Sequence, residues 1–181
     1  MAQFTEKAIL DTFTTLLKEQ PFDKITVSAL VKRCDISPNT FYYHYHDIYD
    51  LLDAWLKKIS ASYVDKNLSW QDTIREYLKD CQKNQRLVYH LFESRSRDQL
   101  EQTVFSLSGQ IFEHYVARRV KGLNVPEERL QEISDYCRNS FLGFFIGFLW
   151  KRMDTDVDKA VERLTALTVP FVAEALKDCG K

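Results

Sequence analysis

Asn39 and Tyr43 stand four residues apart in the segment SPNTFYYHYHD, residues 37–47, with Thr40, Tyr42 and His44 beside them. An amide, two phenols, a hydroxyl and an imidazole can all make hydrogen bonds, and no carboxylate occurs in this stretch until Asp47. Such a set suits a polyanion, since amide groups can reach base edges while hydroxyl groups hold phosphate oxygens. Counting about 100° per residue along a helix puts Phe41 and Tyr45 on one side, Asn39 and Tyr43 directly opposite, and Thr40, Tyr42 and His44 on the flanks. An aromatic-rich packing helix is the competing interpretation. It ranks second, because a short helix whose inward stripe is filled by Phe41 and Tyr45 cannot also bury Tyr42 and Tyr43.

The elements that must present these groups are legible just upstream. Thr26 offers a side-chain oxygen to a free amide of a first helical turn, and Val27, Leu30, Val31 and Cys34 then recur at i, i+3, i+4 and i+7. Asp35 follows the last periodic residue, where a helix normally closes on a left-handed residue. Ser37 can cap the next helix, and Pro38 takes its first position, where a missing amide hydrogen costs nothing. A helix, a short break and a second helix describe a DNA-reading helix-turn-helix. A preceding helix from about Thr5 to Glu19, with Ile9, Phe13, Leu16 and Leu17 on its buried face, packs over both.

The stretch from Thr26 to Tyr45 resembles the TetR family of transcriptional regulators, whose DNA-binding segment typically reads T-V-x-x-[IL]-[AV]-x-x-[AC]-[GD]-[VI]-S-x-x-T-[LF]-Y-x-[HY]-[FY]. The phenylalanine usual just upstream is Phe22, and FYYHYHDIYDLLDAW looks especially like the DhaS-like subgroup. The resemblance implies DNA contacts from Thr26, Ser37, Pro38, Asn39, Thr40, Tyr42, Tyr43 and His44, with Thr26, Thr40 and Tyr42 on phosphates and Asn39 and Tyr43 at base edges. Two departures stand out. Asp35 replaces the usual Gly, and Ile48 occupies a position that is often a phosphate-binding Lys, so one positioning contact is missing or falls to His46.

Composition agrees with an all-α protein: 181 residues can bury a real core, and five Gly and four Pro are few for a turn-rich β fold. The net charge is -1, and residues 1–60 hold seven cations (Lys7, Lys18, Lys24, Lys32, Arg33, Lys57, Lys58) against eight anions (Glu6, Asp11, Glu19, Asp23, Asp35, Asp47, Asp50, Asp53). Attraction to phosphate must therefore be local, with weak non-specific binding, modest salt dependence and reliance on a dimer. The N-terminus has no signal pattern, and the longest apolar run, Phe141 to Trp150, is about half of what spans a bilayer. A cytoplasmic protein away from membranes is expected. Cys34, Cys81, Cys137 and Cys179 have no paired spacing for a metal or redox dithiol, and only Cys34, beside Lys32 and Arg33, has a basic neighbourhood. No enzyme motif, metal site or cofactor loop is present. His90 and His114 read as structural histidines. A helical interaction protein with no DNA target is the alternative from another class, and a family member that has lost DNA binding and acts on a partner regulator is a third.

Downstream, Ile48, Leu51, Leu52, Trp55, Leu56, Ile59 and Tyr63 keep helical spacing over four turns. They define a connector helix of about residues 47–65 between a DNA-binding domain, 1–46, and a C-terminal ligand-binding and dimerisation domain, 47–181. Further helices are expected from Ser69, a capping-box residue, through Cys81; from about Gln85 to Phe92; from beyond Arg97 to a stop at Gly122; from Asn124-Val125-Pro126 to about Met153; and from about Asp156 to Leu176, kinked at Pro170. FLGFFIGFLW is apolar on every side, and Gly143 and Gly147 share a face with Tyr136 and Ser140. This predicts a homodimer of four helices through Ser140, Gly143, Gly147, Leu164 and Phe171. The resemblance also implies a switch by an unidentified small-molecule effector. Tyr77, Cys81, Phe105, Phe112, Tyr136 and Phe144 are the expected pocket residues, an aromatic, charge-poor set suited to an apolar or flat ligand.

Overall fold

The computed structural model describes residues 2–64, 68–120 and 125–177. Among them it has only helices: α1 (Ala2–Glu19), a 3-10 turn at Phe22–Lys24, α2 (Val27–Cys34), α3 (Pro38–His44), α4 (Ile48–Val64), α5 (Trp70–Lys83), α6 (Gln85–Phe92), α7 (Arg97–Arg119), α8 (Glu127–Trp150) and α9 (Val157–Lys177). The order and spacing of elements are those the apolar periodicity predicts. The expected stop at Gly122, the start at Asn124, the last residue of the connector and Cys179 lie outside the described residues. The chain forms two compact units, Met1–Ala61 with Asn84–Glu101, and Ser62–Lys83 with Gln102–Lys181.

The first unit is built around α1. Ile9, Phe13 and Leu17 are fully buried there with Leu30, Phe41, Leu51 and Leu52 from the three following helices. Phe13 meets Phe22 and Trp55 edge-on at 6.2 and 6.0 Å, geometry that suits the ring quadrupoles. The indole of Trp55 donates to Thr14 Oγ1 at 2.8 Å, so its one polar atom is satisfied inside the core.

Packing in this unit departs from the single division at residue 46 that the sequence suggests, because residues 47–61 and 84–101 group with the N-terminal helices. The reason lies at the end of α1, whose last carbonyls have no partner within the helix. Arg86 donates to the Glu19 carbonyl at 3.1 Å, and Nδ1 of His90 lies 2.6 Å from the Leu17 carbonyl. A carbonyl only accepts, so this nitrogen carries the hydrogen and His90 is the structural histidine its setting suggests. The amide of Arg95 adds two 3.3 Å contacts to the carboxylate of Asp23, and Gln99 donates to Asp53 at 2.9 Å.

In the second unit, Ile74 and Leu78 of α5, Val104, Leu107 and Phe112 of α7, and Phe141, Phe145 and Phe148 of α8 form the core with Val161 and Val172 of α9. Ser69 caps α5 by accepting the Asp72 amide at 3.1 Å, while its hydroxyl donates to the Asp72 carboxylate at 2.7 Å. Asp158 at the start of α9 binds Arg75 and Lys79 of α5 at 3.0 and 2.9 Å, which fixes that corner. The α8 helix ends at Trp150, earlier than expected, because Arg152 and Met153 turn left-handed at φ 56° and 57°. Gln82 holds this turn by donating to the carbonyls of Met153 and Thr155, both at 2.9 Å.

Asp35 closes α2 at φ 54°, ψ 46°, and the Ile36 amide reaches back to the Val31 carbonyl at 3.1 Å. The turn therefore forms without the usual Gly, since Asp tolerates this conformation better than most side chains. Asp35 is exposed, so substitutions there act through backbone strain rather than packing. Asp35→Val should lower stability by about 1–2 kcal/mol, and Asp35→Gly should leave it within about 0.5 kcal/mol because relief of strain is offset by unfolded-chain entropy. Urea denaturation of the two variants checks both values.

Candidate functional site

The helix-turn-helix is assembled by two side-chain caps. Thr26 Oγ1 accepts the Ala29 amide at 3.2 Å, and Ser37 Oγ accepts the Thr40 amide at 3.1 Å while lying 2.8 Å from Thr40 Oγ1. Pro38 is the first residue of α3, and Phe41, at 0% exposure, sets the inward direction. Tyr45 is also buried, but as an extended residue just past the helix, with a hydroxyl that has no partner. Burial, with the nearby carboxylates of Glu6 and Asp50, pushes its phenol up to about 12.

Of the residues expected to touch DNA, Thr26 and the seven on and before α3 all fall within the first unit. Asn39 is exposed and Tyr43 is 80% exposed, one turn apart on the outward face. Tyr42 is 57% exposed on a flank, its ring edge-on to Phe41 at 5.5 Å, and His44 stands edge-on to Tyr43 at 5.2 Å. An open face bearing an amide and a phenol on a rigid two-turn helix can enter a groove without rearranging.

The electrostatic setting is less basic than the residue types imply. Arg33 is held by Glu19 through two hydrogen bonds, one of 2.7 Å, and this pairing holds the Glu19 carboxyl below its usual range. Among the described residues, Cys34 thus keeps only Lys32 free of the two cations that mark it in the sequence. Its thiol is half-buried and contacts the Ala8 carbonyl at 3.8 Å. At the start of α4, Asp47 accepts the amides of Tyr49 and Asp50, each at 2.8 Å, and Asp50 accepts the His46 amide at 2.9 Å. The position of Ile48 is therefore flanked by carboxylates that occupy the amides a phosphate would use.

The six expected pocket residues are not gathered at one opening. Tyr77, Cys81 and Phe112 are buried in packing: Tyr77 meets Tyr63 and Phe145 at 5.2 and 5.6 Å, and Phe112 meets Trp70 at 5.5 Å. Phe144 stacks between Phe141 and Phe148, and Phe105 lies 3.9 Å beneath the guanidinium of Arg138. Tyr136 is 56% exposed and stacks on Phe171 at 4.2 Å. A cleft of about 460 Å³ lies elsewhere in the second unit, with Val64, Leu68, Trp70, Ile111 and Tyr115 among its walls, and none of the six lines it. Helical spacing flags buried aromatics well but cannot tell packing from lining. The cleft's own signal was the SWQD cap next to a second aromatic segment ending in two arginines.

The face expected to dimerise is open in a single chain. A Cβ placed on Gly143 or Gly147 meets nothing within 4 Å, and Ser140 is exposed. Leu164 and Phe171 are half-buried beside Leu167, which is 74% exposed.

A capped helix-turn-helix with an outward-facing amide and phenol, followed by a separate helical unit, defines a DNA-binding transcriptional regulator. The model for bacterial regulatory proteins of the tetR family matches residues 9–55, and that for a transcriptional regulator C-terminal region, of the same family, matches residues 69–169. The chain belongs to the TetR family. Its fold is similar to the dihydroxyacetone kinase operon activator DhaS, with a TM-score of 0.71 at 16% identity over 98% of both chains. NalD, the secondary repressor of the MexAB-OprM multidrug efflux pump in Pseudomonas aeruginosa, gives 0.63 at 15% identity over 94% of this chain and 97% of its own. The fatty acid degradation regulator FadR from Bacillus halodurans gives 0.59 at 12% identity, covering 91% and 94%. No curated protein sequence matches the chain. Among the described residues no helix is long and apolar enough to cross a membrane.

The buried thiols provide a chemical check on this packing. Burial pushes Cys81 up to about 12 and Cys137 up to about 11, so both stay protonated and inert at neutral pH. In a Cys34→Ser/Cys179→Ser variant, a thiol-specific disulfide reagent at pH 8 should label neither residue in the folded protein and both in denaturant. Rapid labelling of the folded variant would show that the interior is open.

Proposed function

We propose that the chain acts as a homodimer on a near-palindromic operator, with α3 of each protomer in a major groove and a small molecule in the C-terminal unit controlling the spacing of the two α3 helices. The observation that carries the DNA-contact part is the outward pair Asn39 and Tyr43 on a helix whose rotation Phe41 fixes. In this reading Asn39 and Tyr43 read base edges, and Thr26, Thr40 and Tyr42 hold phosphates, with Ser37, Pro38 and His44 completing the contact surface. The open Gly143 and Gly147 face, with Ser140, Leu164 and Phe171, supports the dimer. α4 is the connector, shifting the two reading helices into or out of match with grooves about 34–36 Å apart along the duplex. Such a switch requires a ligand with different affinity for the two spacings, and operator must then alter ligand affinity by the same factor.

A second reading has a specific observation behind it. The carboxylates of Asp47 and Asp50 and the apolar Ile48 at the start of α4 weaken one phosphate contact. This favours a family member whose DNA binding needs help from a partner regulator.

Selection of binding sites from random duplex DNA separates the two and yields the operator. The first reading expects enrichment of a symmetric site by the protein alone. Asn39→Ala should then relax preference at one base position in each half-site, with a loss of about 1–3 kcal/mol in discrimination measured by competition binding. Retained preference in both Asn39→Ala and Tyr43→Ala would take α3 out of the reading role.

For the dimer, Gly147→Leu should leave the single-chain fold intact, because the added side chain points into open space, yet keep two helices apart across the interface. Sedimentation should show a dimeric wild type and a monomeric variant with an unchanged helical circular dichroism spectrum. A monomeric wild type at micromolar concentration would defeat the assignment.

A further inference from the structure

We propose that the cleft at the start of α5 is a binding site for a small aromatic carboxylate. This gives the effector of the switch above a place and a chemical class, and to that extent rests on that reading. Among the described residues, two buried groups beside the cleft have no hydrogen-bond partner and two arginines on its wall have no ion pair. Trp70 is only 6% exposed and its indole nitrogen has no partner, although an indole N–H can only donate. The hydroxyl of Tyr115, on the facing helix α7, is likewise buried without a partner. Arg118 and Arg119 also line the cleft, and among the described residues neither has an ion pair, whereas Arg33, Arg75, Arg97, Arg129 and Arg138 each pair with a carboxylate.

The sign of the site is unusual for this chain. Among the described residues no Asp or Glu lines the cleft, in a protein with 26 acidic residues and a net charge of -1. Asp72, one turn into α5, is already engaged by Arg75 and the Ser69 hydroxyl. The described walls of the cleft are therefore positive and rich in donors, and a carboxylate supplies the acceptors and the charge that they lack.

The walls define the rest of the ligand. The rings of Trp70 and Tyr115 lie 5.6 Å apart between centroids, and the Arg119 guanidinium sits 5.3 Å from the Tyr115 ring. With Val64, Leu68 and Ile111 they offer flat aromatic and apolar surfaces in a volume of about 460 Å³, which admits a one- or two-ring acid with room for water. A flat body stacks on such walls at little conformational cost, whereas a flexible chain of equal area loses rotational freedom on entry.

The test uses the full-length protein with 2-naphthoate, its neutral analogue 2-naphthamide, and decanoate, followed by titration calorimetry. Naphthoate should bind saturably and at least about tenfold more tightly than the amide, the margin expected for hydrogen bonds to a charged group. Arg118→Gln with Arg119→Gln should erase that margin. Trp70→Phe, which keeps a ring and removes the donor, should weaken naphthoate several-fold without lowering the melting temperature. Equal affinity for acid and amide, or a margin that survives in the double Gln variant, overturns the proposal, and tighter binding of decanoate overturns the flat-body assignment. The two readings fail separately. If naphthoate binds with these ratios and leaves affinity for the selected operator unchanged, the cleft stands and its effector role falls. If naphthoate does not bind, the cleft assignment falls whatever the DNA affinity does.

Discussion

Burial of Phe41 fixes the rotation of α3 about its axis, and everything that helix offers to solvent follows from that angle. A seven-residue helix is too short to be stable by itself, so its geometry comes from the core beneath it. Removing a fully buried Phe side chain commonly costs about 3–5 kcal/mol, far more than the cap at Ser37, which is worth about 1 kcal/mol. The cap sets where α3 begins, and the ring of Phe41 sets which way it faces. Because residues four apart share a face, seating Phe41 inward sends Asn39 and Tyr43 outward together.

This division of labour explains what could be read from the sequence. Caps and apolar periodicity are local, and Thr26, Asp35, Ser37 and Pro38 act where the pattern places them. Element order survives for the same reason. The placing of α6 did not show, because it depends on Arg86 and His90 meeting carbonyls of Glu19 and Leu17 that lie 67 and 73 residues away. The cleft is hidden from the sequence on similar grounds. Aromatic residues at helical spacing mark an interior, but whether a ring packs or lines a space depends on its neighbours from other helices. Tyr77 and Phe112 are closed in, while Trp70 and Tyr115 face a gap.

Charge shows how far residue type can mislead. Arg33 looks in the sequence like an activator of Cys34, yet its guanidinium is committed to Glu19. Asp47 and Asp50, which look unfavourable beside a DNA-reading helix, act as caps of α4. The affinity of a nearly neutral DNA-binding unit must then rest on shape and on neutral donors more than on counterion release.

The hydrogen bonds from α6 to the end of α1 make the first unit discontinuous in sequence. Residues 62–83 leave it and residues 84–101 return to it, so no single cut separates a complete DNA-binding head from the rest. A fragment ending at Ala61 would expose the carbonyls of Leu17 and Glu19 and lose the partners of Asp23 and Asp53. Exchange of heads between relatives by one crossover would carry the same defect, pairing the end of one α1 with an α6 selected against another. Recombination within this architecture is therefore constrained to exchange α1 and α6 together, although residues 62–83, which pack in the other unit, lie between them.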